Sequence, residues 1–274
     1  MSTLGDILKY TKETLKNDNV REWESDGLIL FEEAYGLDRG SMLTKMKDEA
    51  VITPRLTEYI NKRLNNIPVQ YITGKAYFYG RTYNVNEHVL IPRFDTEVVV
   101  YEALREFSGQ TVLDMCTGSG CIAITIALMT DAHVSATDIS DEALQVAKTN
   151  ASFNGAQVDF IKSDLFSEIK GTYDMIISNP PYIRSDEIET LDKEVKLMEP
   201  RLALDGGDDG LIFYKEIISD SRRFLVKDGL LVFEIGYDQG SDVKALMEAQ
   251  GFVDVHVKKD LANLDRVVIG KYRK

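Results

Sequence analysis

The segment Asn179-Pro180-Pro181-Tyr182 contains groups that could hold and activate an NH2 group. The Asn179 amide carries both an acceptor and a donor, and the Pro180 main chain adds a carbonyl acceptor. The Tyr182 ring can stack on a flat group. Together these groups suit a planar amide or an exocyclic amine held by its two N–H hydrogens. We therefore predict that Asn179, Pro180 and Tyr182 are catalytic, the alternative being an ordinary polar turn after a strand.

The run of residues before this segment predicts where the site lies. Residues 173–178 are short, apolar and rich in isoleucine, which is typical of a parallel strand buried on both faces. The strand must end there because the two prolines that follow cannot donate to a β-ladder. The chain then leaves the sheet at its carboxyl edge, where open α/β sheets place their ligands.

A glycine-rich turn and three acidic residues predict a second binding function at the same edge. Three predicted strands end near Asp114, Asp138 and Asp164 respectively. Residues 116–120 form a tight turn between the first of these strands and a helix. Glycines in such a turn let a ligand approach the backbone at a helix N-terminus, although many α/β turns carry two glycines.

The three acidic residues favour S-adenosylmethionine over a dinucleotide as the ligand. Asp114 would repel a pyrophosphate but would attract the ammonium group of a methionine moiety, and Asp138 is placed to accept two ribose hydroxyls. Asp164, or its neighbour Leu165, is expected beside an adenine ring. Simple helix caps are the alternative explanation. The predicted cofactor-binding residues are Asp114, Cys116, Thr117, Gly118, Ser119, Gly120, Asp138, Asp164, Leu165 and Asn179.

The order of the predicted elements divides the chain into three parts. Residues 1–74 have apolar residues at helical spacing, and residues 75–92 alternate as a β-hairpin does. Residues 93–274 alternate strand with helix, which predicts a parallel, doubly wound sheet. The last two strands, at 252–257 and 265–270, are joined by a turn too short for a crossover, so they must pair antiparallel. We predict a helical domain, a hairpin linker and a catalytic domain with these boundaries.

Composition and charge exclude several classes of function. The formal net charge is −13, and residues 1–75 hold only 12 of the 45 acidic residues against 11 of the 32 basic ones, so the acidic excess lies in the rest. Tight binding to a phosphate backbone usually needs clustered Lys and Arg, so we expect a protein partner and no direct nucleic-acid binding. No apolar run approaches the roughly 20 residues that span a bilayer. Two cysteines without a nearby histidine are too few for a zinc site. We expect a reduced, cytoplasmic protein with no metal.

Seven segments carry a resemblance to one known family: Pro68-Val-Gln-Tyr-Ile-Thr-Gly74, Leu90-Ile-Pro-Arg-Phe-Asp-Thr-Glu97, Asp114-Met-Cys-Thr-Gly-Ser-Gly120, Asn179-Pro-Pro-Tyr-Ile183, Glu199-Pro-Arg-Leu-Ala-Leu-Asp-Gly-Gly207, Asp209-Gly-Leu211 and Glu234-Ile-Gly236. With these segments the whole chain resembles the release factor glutamine methyltransferase (PrmC/HemK) family. The pattern at 90–97 is particular to that family, whereas Asn-Pro-Pro-Tyr is shared with amino methyltransferases of DNA and RNA. One departure is Met115-Cys116, which replaces the more usual Leu-Gly.

The resemblance implies a class I S-adenosylmethionine-dependent methyltransferase fold. This fold is α/β and Rossmann-like, with a mostly parallel seven-stranded sheet and an antiparallel last strand, here preceded by a small all-α bundle and a β-hairpin linker. The implied reaction moves a methyl group from S-adenosyl-L-methionine to the side-chain amide nitrogen of the glutamine in the Gly-Gly-Gln motif of peptide chain release factors. It leaves S-adenosyl-L-homocysteine and supports translation termination. The implied substrate-binding residues are Asn179, Pro180, Pro181, Tyr182, Arg93, Thr96 and Glu97, of which the last three could equally form a helix cap and its salt bridge.

Two rival functions share parts of this pattern. An N6-adenine or other nucleobase methyltransferase would flip a base into the same Asn-Pro-Pro-Tyr site, but the acidic charge and the missing basic target-recognition domain count against it. A non-catalytic module that binds S-adenosylmethionine or a ribosomal partner is the second rival. The intact Asp114, Asp138 and Asn179 count against that one. We therefore expect methylation of a protein glutamine.

Overall fold

The computed structural model describes residues 2–273, which form two compact units. The helical unit extends to Gly74 and also includes Asp192–Met198, a segment from much later in the chain. The second unit, here called the sheet unit, contains Lys75–Leu191 and the chain from Glu199 onward. The return of a late segment to the helical unit was not anticipated from the sequence.

Five helices make up most of the helical unit, and polar side chains cap several of them. Thr3 and Asp6 form a capping box at the first helix, and Thr53 caps the helix that begins at Pro54. Leu15 and Phe31 are fully buried in the core of the unit. The elements are β1 (Ser2–Thr3), α1 (Leu4–Asn17), α2 (Trp23–Tyr35), α3 (Arg39–Lys45), β2 (Glu49–Ala50), α4 (Pro54–Leu64) and α5 (Val69–Thr73).

The sheet unit begins with a hairpin and continues with alternating strands and helices. Its elements are β3 (Lys75–Phe78), β4 (Arg81–Asn84), α6 (Phe94–Glu106), β5 (Thr111–Met115), α7 (Cys121–Met129), β6 (His133–Asp138), α8 (Asp141–Asn154), β7 (Asp159–Lys162), β8 (Tyr173–Ser178), α10 (Ile212–Ser221), β9 (Leu225–Glu234), α11 (Gly240–Ala249), β10 (Phe252–Lys259) and β11 (Asp265–Tyr272); α9 (Lys193–Met198) lies in the helical unit. The hairpin strands cover only the first part of the predicted 75–92 linker.

The central sheet has seven strands in the order β10-β11-β9-β8-β5-β6-β7. Strands β7, β6, β5, β8 and β9 are parallel, and β11 is antiparallel to both of its neighbours. The predicted mostly parallel sheet with an antiparallel last strand is therefore confirmed, as is the helical region before it. The short turn after β10 returns β11 antiparallel beside the strand it follows, and the other side of β11 pairs with β9.

Helices cover both faces of the sheet, so the parallel strands are buried on both sides. Val112 of β5 faces a core shared with α6, α7 and α8, and the next residue, Leu113, faces a core shared with α10 and α11. This alternation is the two-residue period of a strand, and burial on both faces explains why the strands are continuously apolar. None of the helices within residues 2–273 has both the length and the apolar character needed to cross a membrane.

A buried arginine joins the late segment to the rest of the helical unit. Arg63 is 6% exposed, and its Nε lies 2.6 Å from Asp26 Oδ2 while its Nη2 lies 2.6 Å from Glu194 Oε2. Arg21 Nη1 lies 3.0 Å from Asp192 Oδ2 in the same unit. Burial raises the pKa of Asp26, and the bond to Arg63 opposes that rise. Arg63 thus neutralises carboxylates from both parts of the unit.

Replacing Arg63 by alanine should destabilise the helical unit strongly, because Asp26 would remain as an unpaired buried carboxylate. We expect a loss of about 3–5 kcal/mol in the free energy of unfolding. Urea unfolding followed by the fluorescence of Trp23, the one tryptophan of the chain, reports on this unit. The control is Lys62→Ala on the same helix, which removes an exposed pair with Glu58 and should cost less than about 1 kcal/mol. Equal losses in the two variants would contradict the assigned role of Arg63.

Candidate active site

The carboxyl ends of neighbouring parallel strands surround a cavity of about 400 Å³ in the sheet unit. In the register of the sheet, Asp114 of β5 lies beside Ala136 of β6 and Ile177 of β8, so the three strands end together. Eleven of the residues predicted for binding or catalysis line the cavity: Arg93, Thr96, Cys116, Thr117, Gly118, Ser119, Asp138, Asp164, Leu165, Asn179 and Pro181.

The turn after β5 approaches the cavity in a conformation that favours glycine. Gly118 and Gly120 have φ angles of +53° and +81°. A Cβ on Gly120 would also lie 3.1 Å from the Cβ of Ala147, so this glycine lets α7 pack closely against α8. Cys116 has a φ of +60°, a costly conformation for a residue with a side chain. The turn predicted at 116–120 therefore forms even though Cys116 stands where the resembled family usually has glycine.

Asp138 ends β6 and supports this turn from the side of the cavity. Its Oδ2 accepts a hydrogen bond from the Gly118 N–H at 2.9 Å, and its Oδ1 accepts one from the Ser140 N–H at 3.0 Å. Burial raises the pKa of Asp138, and the main-chain N–H donors oppose that rise. Each carboxylate oxygen can accept further hydrogen bonds, so Asp138 can bind hydroxyl groups in the cavity.

Asp114 lies beneath the turn, fully buried, and is not part of the cavity lining. Its Oδ2 accepts hydrogen bonds from the Thr117 hydroxyl at 2.6 Å and from the Ala123 N–H at 3.1 Å. Its Oδ1 has no hydrogen-bond partner within residues 2–273. Burial raises the pKa of Asp114 to about 7. A buried acceptor without a donor suits a cationic ligand group, since such a group would stabilise the ionised form.

The third predicted acidic position also lies at the cavity. Asp164 and Leu165 follow β7 and line the wall, and Leu165 has a φ of +45°. The Ser163 hydroxyl donates to the Leu165 carbonyl at 2.7 Å, which holds this turn. The structure thus brings the ends of β5, β6 and β7 to one side of the cavity.

Asn179 and Pro181 line the opposite side, where the chain leaves β8. The Asn179 side-chain Nδ2 donates to the Thr96 hydroxyl oxygen at 3.4 Å. Tyr182 packs against the core shared with α10, and its hydroxyl donates to Glu234 Oε1 at 3.3 Å. Neither Tyr182 nor Pro180 is among the lining residues. Pro180 nevertheless lies in the chain between Asn179 and Pro181, both of which line the cavity.

The three residues expected at the start of α6 have different environments. Thr96 and Arg93 line the cavity, and Arg93 forms an ion pair with the buried Glu199. The other oxygen of Glu199 accepts from the Ile91 N–H at 3.2 Å. Glu97 instead accepts from the Tyr79 N–H at 2.6 Å and so holds the hairpin to α6. The sequence left open whether these residues bind the substrate or form a helix cap and its salt bridge. Glu97 makes a structural contact, whereas Thr96 faces the cavity.

Two segments of the lining were missed by sequence reasoning. The loop before α6 contributes Glu87, His88, Val89, Leu90 and Pro92, and a later stretch contributes Pro200, Leu202, Ala203 and Phe213. His88 is exposed and lies in the lining as well. Both segments overlap or adjoin stretches that carry the family resemblance. Most of their residues are apolar, and no residue type among them indicates a specific chemistry by itself.

Comparisons with known proteins identify the family. The family model of the PrmC N-terminal domain matches residues 6–74, and that of the methyltransferase small domain matches residues 93–198. A release factor glutamine methyltransferase of Clostridium acetobutylicum is 38% identical over 97% of both chains. The chain belongs to the release factor glutamine methyltransferase family. The enzyme of that name from Bacillus subtilis is also 38% identical, over 98% of this chain and 97% of the relative.

Solved structures of other methyltransferases share the fold of this family member. A methyltransferase from Pyrococcus furiosus superposes with a TM-score of 0.57 at 19% identity, covering 80% of this chain and all of that one. The Thermus thermophilus 16S rRNA N2 G1207 methyltransferase RsmC, solved with AdoMet and guanosine, has a TM-score of 0.51 at 16% identity, covering 73% of this chain and 50% of that chain. At these identities the likeness establishes the methyltransferase fold.

Proposed function

We propose that this protein transfers the methyl group of S-adenosylmethionine to the side-chain amide nitrogen of the glutamine in the Gly-Gly-Gln motif of peptide chain release factors. Family membership supports the reaction class, and the observation that carries the proposal is the position of Asn179. Its amide nitrogen is bound to Thr96, so its carbonyl oxygen is the group left to accept a hydrogen bond at the cavity wall. A substrate amide N–H fits that acceptor.

The residues around the cavity fit S-adenosylmethionine, which supplies an electrophilic methyl group when bound. The unpartnered Asp114 Oδ1 suits the ammonium group of its methionine part. Asp138 retains acceptor capacity for the two ribose hydroxyls, and Asp164 and Leu165 form a wall for the adenine. Asp114 lies under the turn and does not line the cavity. The Thr117 hydroxyl, which donates to Asp114, or a water molecule would therefore have to bridge Asp114 and the ammonium group.

The reaction needs alignment more than proton transfer. An amide nitrogen is a weak nucleophile because its lone pair is delocalised into the carbonyl. If Asn179 Oδ1 and the Pro180 carbonyl accept its two hydrogens, the lone pair is directed at the methyl group and the nitrogen gains electron density. As the amide nitrogen bonds to the methyl carbon, the C–S bond breaks and its electron pair stays on sulfur, which gives S-adenosylhomocysteine. The nitrogen then loses one N–H proton to water. Most of the acceleration comes from this orientation.

The helical unit is proposed to recognise the release factor, and its buried charges support a structural rather than a chemical role. Arg63 pairs with both Asp26 and Glu194, so these charged groups satisfy one another within the unit. Because the partner works in translation, we expect the reaction in the cytoplasm. Methylation of a nucleobase is not favoured, since the curated relatives are release factor glutamine methyltransferases and the net charge of −13 repels nucleic acid.

Methylation of an intact release factor tests the function directly. The protein is incubated with isotope-labelled S-adenosylmethionine and a release factor, and mass spectrometry locates the label. We expect one methyl group on the Gly-Gly-Gln glutamine and none on a release factor whose glutamine is replaced by alanine. A short Gly-Gly-Gln peptide should have a lower kcat/KM than the intact factor if the helical unit recognises the rest of the protein. Label elsewhere, or no label, would reject the proposed reaction, and equal kcat/KM values would reject the recognition role.

Asp138→Ala should weaken S-adenosylmethionine binding at least tenfold. Hydrogen bonds to a charged acceptor contribute about 1.5–3 kcal/mol each, and this variant also frees the Gly118 N–H. Titration calorimetry measures the dissociation constant. Asp141→Ala removes the same charge three residues away, from an exposed pair with Lys162, and should leave the affinity unchanged. An unchanged affinity of Asp138→Ala would reject the ribose assignment.

Asn179→Ala should lower the single-turnover rate by about 10²–10³, the effect of removing one oriented polar group at comparable sites. The dissociation constant for S-adenosylmethionine should change much less, since the acidic residues at the ends of β5 and β6 do not depend on Asn179. Single-turnover methylation and cofactor affinity are measured on the same variant. A near-normal rate would show that the Asn-Pro-Pro-Tyr segment is only a turn.

A further inference from the structure

Three polar residues from separate elements meet at the cavity wall, where Asn179 and Thr96 are part of the lining and Glu234 is not. Asn179 follows β8, Thr96 lies in the first turn of α6, and Glu234 ends β9. Thr96 and Glu234 are almost completely buried, with exposures of 2% and 1%. Asn179 Nδ2 donates to the Thr96 hydroxyl oxygen at 3.4 Å, and the Thr96 side chain in turn lies beside the Glu234 carboxyl and interacts with it.

The numbers of donors and acceptors on each group indicate which group donates the proton in each contact. A hydroxyl that accepts a hydrogen bond from an amide retains one proton of its own to donate. Glu234 Oε2 is buried and has no hydrogen-bond partner among the described residues, while Glu234 Oε1 accepts from the Tyr182 hydroxyl at 3.3 Å. An ionised Glu234 can only accept. The order from donor to acceptor that satisfies all three groups is Asn179 amide, Thr96 hydroxyl, Glu234 carboxylate.

We propose that Thr96 and Glu234 are positioning residues that fix the Asn179 amide with its carbonyl oxygen toward the substrate. The two ends of an asparagine amide have nearly the same shape, so only hydrogen bonds decide which end faces the cavity. With Nδ2 held by Thr96, Oδ1 is presented to a substrate N–H. The reversed amide would present an NH2 group to another NH2 group, which cannot bind. This inference rests on the proposed function, since it concerns the same substrate amide.

The charged and titratable groups around Glu234 determine when it is ionised. The Tyr214 hydroxyl donates to its main-chain oxygen at 2.8 Å, and Tyr182 contacts the carboxyl itself. Arg266 lies near enough to lower the pKa of Glu234, and Asp95 raises it. Arg266 is also bound to Asp95 and Asp260, at 3.2 Å and 3.1 Å, so its charge is largely compensated. Burial is the largest effect and raises the pKa of Glu234 to about 7.

A pH dependence follows from this environment. Above about pH 7, Glu234 is ionised and the hydrogen bonds have the productive order. Below it, the protonated carboxyl can donate to Thr96, which releases the Thr96 proton toward Asn179 and favours the reversed amide. The single-turnover rate should therefore rise with pH through about 7 and then reach a plateau. Saturating S-adenosylmethionine keeps the titration of Asp114 from affecting this rate, because the bound ammonium group would hold Asp114 ionised.

The hydrogen-bonded series Asn179–Thr96–Glu234 is here called the relay. Single-turnover methylation of the release factor glutamine tests it in the full-length protein. Thr96→Val keeps the shape of the side chain but removes the hydroxyl. Glu234→Gln keeps the size of the side chain but replaces the ionised acceptor by an amide that cannot ionise and whose NH2 group can donate to Thr96. Each should lower the plateau rate by about 10²-fold, the effect of a small misplacement of a reacting group. Each should also remove the rise of the rate near pH 7. Thr96→Ser keeps the hydroxyl and should restore both the rate and the pH dependence.

Thr125→Val is the matched control because Thr125 is also a buried threonine on a helix of the same unit. Its hydroxyl donates to the Cys121 carbonyl at 2.6 Å and lies 3.0 Å from the Tyr83 hydroxyl, away from the cavity. Rates are normalised to folded protein by thermal unfolding, and cofactor affinity is measured for each variant. Thr125→Val should keep the wild-type rate and pH profile.

The outcomes separate this inference from the proposed function. If the wild-type protein places no methyl group on the glutamine, the proposed function fails. If the wild type is active and Thr96→Val keeps its rate, or if the rise near pH 7 persists in Glu234→Gln, the positioning role is wrong. If Thr96→Ser is as slow as Thr96→Val, side-chain packing rather than the hydroxyl accounts for the loss, and the relay is again wrong.

Discussion

The hydrogen-bonded register of the parallel strands is the constraint on which the site depends. Strands β5, β6 and β8 pair in register, so the polypeptide leaves the sheet at one edge in three adjacent places. Each exit places a polar side chain next to the same cavity, and neighbouring strands lie only about 4.8 Å apart. A shift of one residue in any of these strands would turn Asp138 or Asn179 to the other side of the chain. The apolar layers on both faces of the sheet hold this register.

Two buried carboxyl groups near the ends of β5 and β9 share an unusual arrangement. Asp114 near the end of β5 and Glu234 at the end of β9 are both nearly inaccessible, and each has one oxygen without a hydrogen-bond partner among the described residues. Burial raises the pKa of each to about 7. A buried carboxylate oxygen without a donor is destabilising, so two of them at strand ends mark this edge of the sheet as a candidate for function. Asp114 belongs to the proposed cofactor side, and Glu234 lies behind the proposed substrate side.

The loop between β8 and α10 shows how one stretch of chain can contribute to both units. Its Asp192–Met198 part is held in the helical unit by Arg63 and Arg21. The next residue, Glu199, is buried in the sheet unit, where it pairs with Arg93 at the cavity. The loop is therefore more than a connection. Its conformation depends on specific charge pairs in each unit, and the Arg93–Glu199 pair of the sheet unit adjoins the lining residues that begin at Pro200.

The sequence by itself determined the type of fold and most of the chemistry of the site. The apolar runs, the glycines at 118 and 120 and the prolines after Asn179 are local constraints, and local constraints can be read from neighbouring residues. They predicted the parallel strands, the tight turn and the polar residues at the strand ends. The resemblance, carried by segments along the whole chain, predicted the family, and the comparisons confirm it.

Only the tertiary structure decided which side chains reach the cavity and which support it from behind. Glu97 was expected at the substrate but binds the main chain of Tyr79, and Tyr182 points its hydroxyl at Glu234. The link from Asn179 through Thr96 to Glu234 spans residues 96 to 234 of the chain. No sequence spacing encodes such a contact, because it depends on how α6, β8 and β9 pack. Burial has the same origin, and it is burial that raises the pKa of Asp114 and Glu234.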